Sequence, residues 1–567
     1  MRYSAMVLIG LLIAGGADAA PDPTVHYSLK PLLTDGQLTA VEFEMRFQAT
    51  QAQTDVTFPD SWARGAAYYK AFKDVEIIGA TAVVTPEDQP AHRLIAATPG
   101  ADITVRYHVD ANLKAGEEAP YATDMNYPVI GPNRFYILGE SVWPYVSSNG
   151  IPPAAFSADI PAGWTFASNL QNLASPGGTE ADVVRSVLMG GTDVRIDIFQ
   201  TAHTRLRIAS AGRFDFTAAD FRDRVQRIIA TEQAFWGDGQ DDFLVTLAPI
   251  TPKPGWMSNH GEGRSGAFAM ITVPDTPLEV VSFSLAHEYF HSWNPGKLGG
   301  ADPDPEATGY WFSEGFTDYY GRKLALKAGV VDLTQFVAEW NMSLNRYAGS
   351  AHRLASNKEL SEHPWTDAAW QKAPYDRGAI LAVYLNAEWR TRGVTLDRFM
   401  RTLRDRVAAD PKLGALPFRR RIAAVTSGLG VPADEELTRF IDHGEAIVLP
   451  DDAFGGCLRV VSDQVADFAP GYDVARTRAA GVYVGVDPDA AAYEAGIREG
   501  MTRVDSQGGD TGDGSVPIHA TVRDGDGHVR TVTFVPAAKT SHVRQRLVLP
   551  DRMTADQAMA CAAAVTG

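Results

Sequence analysis

Short segments in which apolar and polar residues alternate fill the first third of the chain. Leu38-Thr39-Ala40-Val41-Glu42-Phe43-Glu44-Met45-Arg46-Phe47 and Asp102-Ile103-Thr104-Val105-Arg106-Tyr107-His108-Val109 are two of them, set apart by turns rich in Gly, Pro and Asp. A period of two sends successive side chains to opposite faces, so these segments predict half-buried strands of an N-terminal antiparallel β domain over residues 20–200. From 201 to 450 helical periodicity dominates, after one strand-like pair, Phe243–Leu247 and Ala267–Val273. This part predicts a mostly helical domain in which an edge strand can take up an extended peptide. After Pro450 β character returns over 451–545, and in the tail, 546–567, Thr554 to Ala560 reads as a short helix. The whole is a multidomain α+β pattern.

The helical part carries the chemistry. Thr276-Pro277-Leu278-Glu279 is a helix start, with threonine at N-cap, proline at N1 and glutamate at N3. An apolar run, Val280 to Ala286, then leads into His287-Glu288-Tyr289-Phe290-His291. Histidines four apart on a helix project from one face, close enough to share one Zn²⁺ ion, and Glu288 lies beside that ion, where it can take a proton from bound water. Glu314, in Trp311-Phe312-Ser313-Glu314-Gly315-Phe316, supplies a third ligand and leaves one position open for water or substrate. It sits near the start of a second amphipathic segment, Phe312 to Lys327, ended by Gly329. Asp318, one turn further on the same face, can accept the spare N–H of a ligating histidine. The spacing leaves one alternative open: His287 and His291 as core histidines paired with Glu314 in a buried network.

His287–His291 together with Trp311–Tyr320 resembles the gluzincin metallopeptidases, which bind zinc through two histidines and a glutamate. His291-Ser292-Trp293-Asn294-Pro295-Gly296-Lys297 is similar to the HxWNxK extension of the glycyl aminopeptidase family within that group. Pro374-Tyr375-Asp376-Arg377-Gly378-Ala379 resembles the family's Tyr-x-Lys/Arg-Gly-Ala motif, which implies that Tyr375, at the head of a helix Asp376 to Arg392, donates to the oxyanion. The resemblance implies a thermolysin-like catalytic domain, one zinc per chain, and an aminopeptidase that releases small N-terminal residues (Gly or Ala) from peptides with a free N-terminus. In such enzymes a Gly-x-x-Glu strand holds the substrate amine. The corresponding stretch here, Asn259-His260-Gly261-Glu262-Gly263-Arg264, offers Glu262, with glycine at 261 and 263 where the family has leucine and histidine. The other reading of this stretch is a glycine-rich surface loop. A secreted zinc endopeptidase and a non-enzymatic peptide-binding envelope protein therefore stand beside the aminopeptidase. Farther on, Gly481-Val482-Tyr483-Val484-Gly485-Val486 and Ala490 to Met501 resemble a PDZ domain, which implies a module that binds peptide or packs on the catalytic domain.

Composition narrows the setting. A net charge of −18 over 567 residues argues against nucleic acid and anionic membrane surfaces as partners. Arg2 followed by the apolar run Met6 to Ala14, with Ala17-Asp18-Ala19 behind it, reads as a signal peptide over 1–19 and predicts export to the periplasm or beyond. An uncleaved N-terminal anchor is the alternative, but no later segment is fit to span a bilayer, so stable membrane insertion is not expected. The two cysteines, Cys457 and Cys561, bracket the PDZ-like segment, and in an oxidising compartment they predict one disulfide.

Overall fold

The computed structural model describes residues 24–62, 65–114, 127–147, 150–172, 178–251, 259–302 and 305–567. The expected signal peptide lies outside these. The chain is a multidomain α+β protein with two compact units that part between Tyr289 and Phe290.

In the first unit the alternating segments form strands. Val25–Thr34 and Gln37–Gln48 make a hairpin through Asp35 and Gly36, whose φ values of 52° and 80° are those of a type I′ turn. Gln37–Gln48 pairs next with Asp102–Asp110, placing Val41 opposite Val109, Phe43 opposite Tyr107 and Met45 opposite Val105. These six side chains are buried, and the Phe43 and Tyr107 rings stack at 5.6 Å. The sheet is not wholly antiparallel as expected, because Val25–Leu29 runs parallel to Ala154–Ala158. Alternation reports which face is buried and carries no information on the direction of the partner strand.

The unit also holds a five-stranded mixed sheet: β1 (Arg195–Gln200), β2 (Arg205–Ser210), β3 (Asp242–Pro249), β4 (Asn259–Arg264) and β5 (Ala267–Thr272). Its order is β1-β2-β3-β5-β4, with β2, β3 and β5 parallel and β4 antiparallel to β5. The apolar runs of β3 and β5 are buried almost throughout, as the inner strands of a covered sheet must be. Between β2 and β3 runs helix α1 (Ala218–Trp236), capped by Thr217 and stopped by Gly237 at φ 79°. Helix α2 (Leu278–Phe290) lies along α1, held by Arg224 donating to Ser282 at 3.4 Å and Gln233 to Tyr289 at 2.9 Å. The glycine-rich stretch 259–264 is a strand and not a surface loop. It is the edge of the sheet.

The second unit opens with helices: α3 (Tyr310–Ser313), α4 (Gly315–Lys327), α5 (Leu333–Gly349), α6 (Asn357–Glu362) and α7 (Ala368–Arg390). The predicted segment Phe312–Lys327 is thus two helices broken at Glu314. The predicted helix Asp376–Arg392 starts eight residues earlier, because the Asp367 carboxylate caps it by accepting from Ala369 and Trp370, and Pro374 sits inside it. Beyond the helices, Arg459–Phe468 pairs with Ala537–Val548, and three strands from 502 to 534 pack around Tyr483, Ile497, Ile518, Val522 and Phe534. The final helix, α8 (Ala555–Thr566), opens on a Thr554/Gln557 capping box. It extends further than the sequence suggested, and Cys561 on it is disulfide-bonded to Cys457, with Cα atoms 5.5 Å apart. Among the described residues no helix is long and apolar enough to cross a membrane.

Candidate metal centre and catalytic groups

Burial of Val281, Leu285, Ala286, Tyr289 and Phe290 fixes how α2 rolls, which leaves His287, Glu288 and His291 on a partly open face. One ligand atom each from His287, His291 and Glu314 lie within 4.8 Å of one another. His291 Nε2 is 3.4 Å from Glu314 Oε2. Tetrahedral ligands bound to zinc at roughly 2.0–2.1 Å stand about 3.3 Å apart, so this pair fits a common ion and the donor set fits zinc. The other ring nitrogen of His291, Nδ1, is 2.7 Å from the Asn294 carbonyl, the arrangement that turns Nε2 toward a metal.

Asn294 does more than this. It is fully buried, and its amide donates to the Phe312 carbonyl at 3.0 Å and to Thr317 Oγ1 at 3.2 Å. These two residues flank Glu314, so one side chain ties the segment after the histidines to the helix break that presents the glutamate. Sequence reasoning passed over it. The signal was there in Trp293-Asn294, polar beside aromatic in a stretch where both side chains are now seen to be buried.

The helix that carries Tyr375 crosses close to the segment that carries Glu314. A methyl at Gly378 would overlap the Trp311 carbonyl, and one at Gly315 would overlap the backbone of Gly378. With no side chains between them, α7 lies directly on the α3–α4 break, and Tyr375 stands one turn before Gly378 on α7. The Lys372 ammonium lies 4.4 Å from the centre of the Tyr375 ring. The next residue, Asp376, is fully buried and takes both nitrogens of an Arg346 fork at 2.6 Å. Burial pushes its carboxyl above the ordinary range and Arg346 pulls it back. Asp318 stands one turn beyond Glu314, with its N–H on the Glu314 carbonyl at 2.8 Å, and pairs with Arg322 at 3.3 Å.

Glu288 faces the edge strand. A methyl at Gly261 would meet the Phe268 ring at 2.5 Å and the Glu288 stem at 3.4 Å, and one at Gly263 would come 3.6 Å from Glu288 Oε2. The glycines that depart from the family pattern are therefore what lets the carboxylate sit against β4. Alternation sends Glu262 to the other face of the strand, where His260 Nε2 is 2.9 Å from its Oε1 without hydrogen-bond alignment. Arg264, on that same face, is paired with Glu140. A second group missed from sequence is Glu232 on α1. It is fully buried on the face formed by Val225, Ile228 and Ile229. Burial holds its carboxyl well above the carboxylate range, and the charge of His287 works against this. A glutamate within the apolar face of a helix was the signal.

Residues 281–387, which include His287, Glu288, His291, Asn294, Glu314, Asp318 and Tyr375, match the model of the M61 glycyl aminopeptidase family. Over that stretch the chain is similar to the M61 glycyl aminopeptidases. It is a metallopeptidase, and its reaction is peptide hydrolysis. A solved aminopeptidase N family protein from Idiomarina loihiensis is similar in fold, with a TM-score of 0.69 and 15% identity over 94% of this chain and 99% of that one. An M1 zinc metallopeptidase from Deinococcus radiodurans matches 76% of this chain and 96% of its own at 15% identity, with a TM-score of 0.47. No curated protein matches the chain. The M61 match ends before the C-terminal β module, for which a PDZ-like identity stays an expectation.

Proposed function

We propose that this chain is a zinc aminopeptidase that removes small residues from peptides with a free amino terminus. The observation that carries the reading is the His287, His291 and Glu314 cluster, whose spacing suits one tetrahedral ion. Zinc held there supplies a Lewis acid that polarises the scissile carbonyl and acidifies water. Glu288 takes the proton of the attacking water and hands it to the leaving amine. Tyr375 donates to the oxyanion that forms. Asp318 accepts the outer N–H of a ligating histidine and so orients that ligand. An extended peptide pairing with the free edge of β4 lies in the plane of the sheet, with Glu288 on one side and Glu262 on the other. From there the Glu262 carboxylate binds the substrate ammonium and sets cleavage after the first residue.

The leader and the C-terminal module complete the proposal: export by the signal peptide, and a PDZ-like domain that binds peptide or packs against its own unit. A zinc endopeptidase is the second reading. It is favoured by one observation, the His260 ring already standing 2.9 Å from Glu262 where the ammonium would go. Glu288→Gln tests the chemistry. The variant is expected to keep about one zinc per chain, because no ligand is touched, while losing nearly all turnover. Undiminished activity in it would contradict the mechanism.

A further inference from the structure

The two residues that follow Tyr375 are both ionisable, and both are only 1% exposed. Burying a charge costs desolvation that a partner seldom repays in full, so what such a group adds is above all a fixed position. Asp376 takes the fork of Arg346, whose Nε and Nη2 each donate at 2.6 Å. Arg377 donates from Nη2 to the Arg353 carbonyl at 2.9 Å and to that of His352 at 3.5 Å. Both grips come from one place. Arg346 lies in the last turn of α5, and 352–353 belong to the turn that follows this helix.

Arg346 is itself held. Its Nη2 donates to Ser343 Oγ at 3.2 Å, and the same buried oxygen accepts from Arg322 of α4 at 2.9 Å. Arg322 also donates to the Asp318 carbonyl at 3.0 Å, one turn beyond Glu314. A continuous hydrogen-bonded path thus runs from α4, across α5, to the residue next to Tyr375. Its last step is the strongest, because a two-pronged contact to a carboxylate fixes angle as well as distance. The fork therefore sets both the roll and the height of α7 at residue 376.

We propose that Arg346 is a positioning residue for peptide hydrolysis: through Asp376 it fixes how α7 presents Tyr375. The inference rests on the reading of Tyr375 as the oxyanion donor, and deepens it by naming what aims the donor. Such a donor works only if it is in place before charge develops, so a small drift of α7 lowers turnover and leaves substrate binding alone. The Arg346 side chain is 43% exposed, against 2% for Asp376, so it can be replaced without opening the core.

The test measures kcat and KM of the zinc-loaded protein on Gly-Ala-Ala and on casein, which report exopeptidase and endopeptidase turnover. The proteins compared are native, Arg346→Met, Tyr375→Phe and the variant with both changes. Arg346→Met is expected to lower kcat by about 10–100-fold, with KM within about twofold and about one zinc per chain retained. Because it acts through the tyrosine, it should lower kcat by no more than about twofold on top of Tyr375→Phe. Should Arg346→Met fold poorly with Asp376 left buried and unpaired, adding Asp376→Asn removes both charges, and the same loss of kcat per folded molecule is expected. Unchanged kcat, loss of zinc, or the full loss repeated on top of Tyr375→Phe overturns this inference alone. Full kcat in Tyr375→Phe overturns the role of the tyrosine and this inference with it.

Discussion

Asn294 shows why single residues differ in how readable they are. His287, Glu288 and His291 reveal themselves because their geometry is local: four positions along a helix are one turn. Asn294 acts on Phe312 and Thr317, and Glu232 acts on His287 from another helix, so nothing in nearby sequence marks either. The role of Tyr375 is proposed from its motif, and its prediction is specific. Tyr375→Phe keeps the ring and deletes the donor, so kcat should fall by roughly 10²–10³ with little change in KM. A loss of thermal stability with kcat per folded molecule intact would make it a packing residue.

A second prediction at this scale lies far from the metal. Glu180, at the start of the short helix Glu180–Val184, is buried, with Tyr27 OH at 2.7 Å and the Val146 N–H at 2.8 Å on one oxygen. Burial pushes its carboxyl from 4.5 up to about 7, and the two hydrogen bonds oppose the shift. A raised folded value means that the neutral form stabilises the fold. That contribution is whole below the unfolded value and is lost as pH rises from about 4.5 through about 7, by about 3 kcal/mol at most. Glu180→Gln should therefore be less sensitive than native to the change from pH 5 to pH 8 in urea denaturation. Identical pH dependence of the two proteins would contradict the assignment.

At the scale of elements, the sequence was read well where a side-chain period decides and poorly where a backbone contact does. The alternation in Gln37–Gln48 and Asp102–Asp110 gave both strands to within a residue or so. The break at Glu314 and the early start of α7 escaped, the first because the apolar period runs on through it, the second because the cap, Asp367, lies well upstream of the expected start at Asp376 and Pro374 sits inside the helix. β4 was legible only through the family resemblance: with glycine at 261 and 263 it has almost no side-chain pattern to read, and it pairs with β5 through its backbone. The crossing of α7 over the α3–α4 break depends on a missing side chain too. Gly378→Ala should push these helices apart and cost about 3 kcal/mol or more in urea denaturation, with activity falling as Tyr375 moves away. A variant as stable and active as native would mean that the crossing does not position the tyrosine.

For the whole molecule, the order of β-rich, helical and β-rich parts was visible in the changing period, but the partition between sheets was not. Arg195–Gln200 and Arg205–Ser210 look like any upstream strand, yet they join the sheet of β3 and β5, because the partner of a strand is fixed by packing and not by its own alternation. At 15% identity, the likeness to the Idiomarina loihiensis protein is one of fold. What the molecule does as a whole depends on whether Glu262 and β4 hold a free amine beside Glu288. The most direct measurement is digestion of one peptide pool, half with free and half with acetylated amino termini, by the zinc-loaded protein, followed by mass spectrometry. Free-amine peptides should shorten one residue at a time, small residues first, while acetylated peptides stay intact. Internal cleavage of both halves at equal rates would contradict it.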